Sequence, residues 1–126
     1  MFYEQDWVMR QIKLLVRFIA RAVFKKDTAE YKELIEESIA GTDILHRELM
    51  LLVSEGRICE AENFLFDNLD KTMRGHLALA LDFYERLNNL SDEELEQANF
   101  SREEIKDGLN NVLDLFGLDF AREMFS

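Results

Sequence analysis

Read at about 100° per residue, positions 2 to 24 describe one long helix. Arg10, Lys13, Arg17 and Arg21 fall on a narrow polar stripe. Trp7, Val8, Ile12, Leu14, Leu15, Phe18, Ile19, Ala22 and Val23 fill most of the rest. An apolar arc of roughly two-thirds of the circumference is wider than the ~100° stripe of an ordinary surface helix, so cover on more than one side is expected. Lys25-Lys26-Asp27 closes this element, since cations suit the negative end of a helix dipole.

The pattern repeats in shorter form downstream. Over 28–40, Tyr31, Leu34, Ile35 and Ile39 oppose Glu30, Glu33, Glu36 and Glu37, and Gly41 stops the helix. Over 43–55 the apolar positions are Ile44, Leu45, Leu49, Leu52 and Val53, and Gly56 is the stop. Over 57–70 they are Ile58, Ala61, Phe64, Leu65 and Leu69, with Cys59 expected as a small buried hydrophobe. Gly75 precedes a helix over 76–89 carrying Leu77, Leu79, Ala80, Leu81, Phe83, Tyr84 and Leu87. Glycine suits these ends because it enters the left-handed region at little cost.

Two further starts are explicit. In Ser91-Asp92-Glu93-Glu94 and Ser101-Arg102-Glu103-Glu104 a serine is followed three residues later by glutamate, the reciprocal capping arrangement. The first opens a short helix near 94–98. The second opens one reaching Phe116, with Ile105, Leu109, Val112 and Leu113 inward, and Gly117 stops it. A short helix over 118–125 follows. No stretch alternates with period two, so no sheet is expected. Short links favour antiparallel neighbours. The expected fold is therefore all-α: antiparallel helical hairpins in a single domain spanning 1–126, with a long N-terminal amphipathic helix (2–25), hairpins over 28–116 and a short C-terminal helix.

Residues 42–73 resemble a tetratricopeptide-type hairpin. Leu45, Leu49, Leu52, Gly56, Ala61 and Leu65 match its order of large residues, turn glycine and close-approach alanine. Leu49, Asn68 and Met73 depart from it, and a second hairpin about 34 residues on is irregular. The resemblance implies a tetratricopeptide-like bundle. The opening Phe2-Tyr3-Glu4-Gln5-Asp6-Trp7 with Met9-Arg10-Gln11-Ile12 resembles a family of short uncharacterised bacterial helical proteins. That likeness implies a bacterial origin and brings no activity.

Charge alters this picture at one place. The net charge is −11, yet residues 1–26 carry six basic groups against Glu4 and Asp6. The remainder carries nine basic and 24 acidic groups. So acidic a body repels the phosphate backbone on which nucleic-acid affinity depends, and no nucleic acid is expected as partner. Glu4, Asp6, Arg17 and Arg21 make the N-terminus unlike a secretory signal, and no apolar run spans a bilayer. A cytoplasmic location is expected.

Chemistry is sparse. Asp43 and His46 could share a helix face, but His76 has Met73 where the second acidic ligand of a paired site belongs. No zinc-type spacing, nucleophile with base and orienting acid, or phosphate loop is present. The expectation is a non-enzyme without cofactor or metal. The candidate contact surface is the first helix, with Trp7 as anchor and Arg10, Lys13, Arg17 and Arg21 as charge guides. The groove-side faces of 43–55 and 76–89 are a second candidate. A protein partner or a second copy of the chain (a homodimer) is expected there. Internal pairing of the stripe with acidic faces, anionic membrane surfaces and an acidic catalytic site are the competing readings.

Overall fold

The computed structural model describes residues 2–24 and 42–124, with side chains described over 6–23 and 42–121. The helix expected over 28–40 and the stop at Gly41 lie outside the described residues. Among the described residues there are seven α-helices: α1 (Phe2–Ile19), α2 (Thr42–Ser54), α3 (Ile58–Asn68), α4 (Arg74–Asn88), α5 (Asp92–Gln97), α6 (Arg102–Leu115) and α7 (Asp119–Met124). A π-helical turn, Ala20–Phe24, continues α1. No strand occurs among the described residues, so the all-α expectation is met.

The core is built around α4. Twelve of its residues are buried, including Leu77, Leu79, Leu81, Phe83, Tyr84 and Leu87. A helix apolar on nearly all sides requires neighbours on nearly all sides, and α1, α2 and α6 supply them. α2 and α3 form a hairpin, and α7 folds back on α6 and α1. Gly75 is the second residue of α4 and is buried, instead of preceding the helix as expected. The helix starts two residues earlier because Met73 already takes the extended entry conformation.

Helix ends follow the residues that can make them. Gly56 and Gly117 have φ of +76° and +74°. At each, the following amide reaches back across the last turn: Arg57 N–H donates to the Leu52 carbonyl (2.9 Å) and Leu118 N–H to that of Leu113 (2.7 Å). These bonds satisfy carbonyls the helix leaves orphaned. Asn99, at φ +57°, ends α5 the same way, with Phe100 N–H donating to the Leu95 carbonyl (3.0 Å). Asparagine is the usual substitute for glycine in this role. Both serine–glutamate capping boxes form, at Ser91 with Glu94 and Ser101 with Glu104.

A buried arginine locks the α4–α5–α6 corner. Arg102, the first residue of α6, donates to the Asn88 and Leu90 carbonyls (2.8 Å each) and to Asp92 Oδ1 (2.9 Å). Asn88 in turn donates to the Met9 carbonyl of α1 (3.0 Å). Five donors in a fixed fork let arginine satisfy several chain-end acceptors at once.

Candidate functional site

In α1, burial selects Val8, Ile12, Leu15, Val16, Ile19 and Ala20. These positions span an arc of roughly 140° at 100° per residue. The expected two-thirds arc is not covered. The inner arc alone meets α4 and α6, and the flanking apolar residues are left outside it. Trp7 is 55 % exposed and Leu14 46 % exposed. Arg10, Lys13, Arg17 and Arg21 are exposed too, so the structure gathers all five expected contact residues, with Leu14, on one outward face.

Arg10, Lys13 and Arg17 make no hydrogen bond or ion pair among the described residues. Trp7 is held from the side. Lys106 of α6 lies over its ring, 5.6 Å from the centroid, and donates to Gln11 Oε1 of α1 (2.9 Å). That cation–π contact fixes the indole and extends the basic ridge onto α6.

The second expected surface is altered. α4 is core and presents no groove-side face. α2 buries Thr42, Leu45 and Leu49, an arc that leaves Ile44 well over 90° away. Ile44 is therefore 65 % exposed rather than inward, and Leu51 is exposed with it. Cys59 is likewise exposed. The inner face of α3 is set by Ile58, Ala61 and Leu65, and Cys59 stands about a third of a turn off that line.

Both histidines are engaged in the fold. His46 donates from Nε2 to Asp82 Oδ2 (2.9 Å), and Arg86 Nε reaches the same oxygen (2.7 Å). Asp82 is thus a buried carboxylate with two charge-assisted partners. His76 accepts at Nδ1 from the Asp70 amide (2.9 Å). Burial lowers its pKa below the ordinary 6.5, against the pull of Asp70.

Sequence reading missed one arrangement. Tyr84, wholly buried, donates to Glu62 Oε2 of α3 (2.6 Å). Both groups pack over Gly108 of α6, where a Cβ would collide with Tyr84 Oη and Glu62 Oε2. A lone glycine inside a helical pattern was the only signal, since glycine there costs helix stability without a packing reason. Desolvation raises the Glu62 pKa, the Tyr84 bond opposes that, and Glu104 and Asp107 add to it. The Tyr84 hydroxyl is pushed well above its ordinary value by burial and by Glu62.

Glu62 also borders a cavity of about 480 Å³ with Cys59, Phe66, Phe100 and Asp107. Another, of about 440 Å³, lies between Val8 and the acidic start of α5 and α6. Neither lining includes a histidine. Among the described residues no cluster of three His, Cys, Asp or Glu side chains is arranged to hold a metal ion. No described helix is long and apolar enough to cross a membrane.

Fold and surface together define an all-helical domain with a basic, aromatic ridge along its first helix. The chain belongs to the family of unknown function DUF6483, which it matches over residues 2–117. No curated protein and no solved structure matches it.

Proposed function

We propose that the protein is a small, non-catalytic interaction module that binds a protein partner through the exposed face of α1. The observation that carries this reading is the ridge itself. Trp7 and Leu14 are large apolar side chains left in water beside Arg10, Lys13 and Arg17, three cations without an intramolecular partner among the described residues. Trp and Arg are the residues most enriched where binding energy concentrates in interfaces. The engaged histidines support a non-catalytic role, because His46 ties α2 to α4 and His76 holds the turn that leads into α4.

The same reading treats residues 42–73 as a tetratricopeptide-type scaffold hairpin in a bacterial, cytoplasmic protein. Ala61, fully buried, serves the close helix approach that such a hairpin needs. Membrane-surface binding is the weaker reading. An interfacial helix inserts a continuous apolar face, and here that face is occupied by the core.

The test is affinity capture from native extract with the tagged wild type and with Arg10→Glu/Arg17→Glu, read by mass spectrometry. A protein retained by the wild type and lost by the variant supports the reading. Identical captures from both would remove α1 as the interface.

A further inference from the structure

Resting on that reading of the α1 face, we propose that its occupant is an acidic amphipathic helix of a partner protein, docked along α1. The exposed side chains repeat every seven residues. Trp7 and Leu14 form one pair and Arg10 and Arg17 another, with Lys13 on the flank. Seven residues of α-helix rise about 10 Å. Apolar and cationic positions therefore alternate along one straight seam, the arrangement of a helix-pairing face.

A partner must match that period to meet all of these side chains. A second helix does so, with its own apolar residues seven apart and its acids between them. An extended segment does not. Its same-face side chains recur about every 7 Å, which falls out of step with a repeat near 10 Å. Nor can it add to a sheet edge, because α1 spends its backbone groups within the helix.

Charge selects the sign of the partner and disfavours a second copy. A two-fold contact over this face would set Arg10 and Arg17 against their own copies. The rest of the chain carries 24 acidic against nine basic groups, so its net charge disfavours an acidic helix away from this ridge. Such a layout fixes orientation and speeds encounter more than it deepens affinity. One helix face buries less than the ~1,200 Å² of a stable interface, so a reversible complex with Kd on the order of micromolar is expected.

Trp7 is the chain's only tryptophan, so its fluorescence reports on this face alone. The intact protein would be titrated with a synthetic helical peptide carrying leucine and glutamate at seven-residue spacing. A peptide of the same composition, shuffled so that the two residue types share no face, is the control. Phosphatidylglycerol vesicles and a protein concentration series complete the set. A blue shift with the helical peptide is expected, with at least about tenfold weaker binding of the shuffled peptide and of Arg10→Glu/Arg17→Glu.

Equal binding of both peptides would overturn helix docking and leave a general acidic-protein interface. A shift with vesicles alone, or with protein concentration alone, would overturn it in favour of lipid or of a second copy. If no probe shifts Trp7 while the variant still loses its captured protein from extract, the helical occupant is wrong and the interaction reading stands. If that capture is also unchanged, both fall.

Discussion

Adding a single methyl group at Gly108 tests how the α3–α4–α6 contact is built. Helix propensity favours alanine over glycine by about 1 kcal/mol, so an exposed position would be stabilised by Gly108→Ala. Here the new Cβ meets the Tyr84 hydroxyl, Tyr84 Cε1 and Glu62 Oε2. Tyr84 is fully buried, so it cannot yield by swinging into solvent. Overpacking costs about 1–3 kcal/mol, and losing the hydrogen bond to a carboxylate adds roughly 1.5–3 kcal/mol. Set against the propensity gain, the net loss is about 1.5–5 kcal/mol. For a chain of this size that lowers Tm by about 10 °C. Urea and thermal unfolding followed by helical circular dichroism would measure it. Tyr84→Phe removes the colliding oxygen, so the double variant should lose less than the sum of the singles by about 1 kcal/mol or more. A neutral or stabilised Gly108→Ala protein would refute the packing argument, and strict additivity would refute the role given to the hydroxyl.

Four other outcomes follow from the same contacts. Arg102→Met should cost about 2–4 kcal/mol, because it strips the buried Asn88 carbonyl and the partly buried Leu90 carbonyl of their donor; Arg102→Lys should restore only part, lacking the fork, as urea midpoints would show. His76 has a folded pKa below its unfolded value of 6.5, so the unfolded chain binds the proton more readily. Its contribution is complete above 6.5 and is lost as pH falls through the folded pKa; the urea midpoint should drop over that acid range in the wild type and drop less in His76→Gln. Glu62→Gln keeps an acceptor for Tyr84 and removes a charge that burial, Glu104 and Asp107 disfavour, so it should raise the urea midpoint at neutral pH and lose that advantage once pH falls below the raised Glu62 pKa. Arg10→Glu/Arg17→Glu should change stability by less than about 0.5 kcal/mol, since both side chains are exposed, while abolishing capture of the partner.

Local rules were enough for much of this protein. The two serine–glutamate boxes and the glycines at 56 and 117 act within a single turn of chain, so the residues themselves fix the outcome. Asn99 obeys the same rule, yet its side chain is common in loops and marks a helix end less sharply than glycine. The apolar run of α4 was legible, but 76–89 was expected to keep a groove-side face, and only the packing of α1, α2 and α6 around it removed that face. Periodicity could not say how far neighbours would cover any helix. α1 offered a wide apolar arc, and only the packing of α4 and α6 decided that Val8, Ile12 and Leu15 would be core while Trp7 and Leu14 stayed in water. Ile44 and Cys59 were misplaced for the same reason: a hydrophobic residue near the edge of a face is inside or outside according to where the next helix sits.

The sequence alone therefore determined the described helices, most of their ends and the basic stripe, because those depend on residues within a turn or two of one another. The tertiary structure alone decided that Tyr84, Glu62 and Gly108 meet, that Arg102 ties three helices together, and that the cations of α1 line up with an exposed tryptophan and leucine. Each of these depends on groups far apart in the chain, brought together only when the apolar faces close around α4.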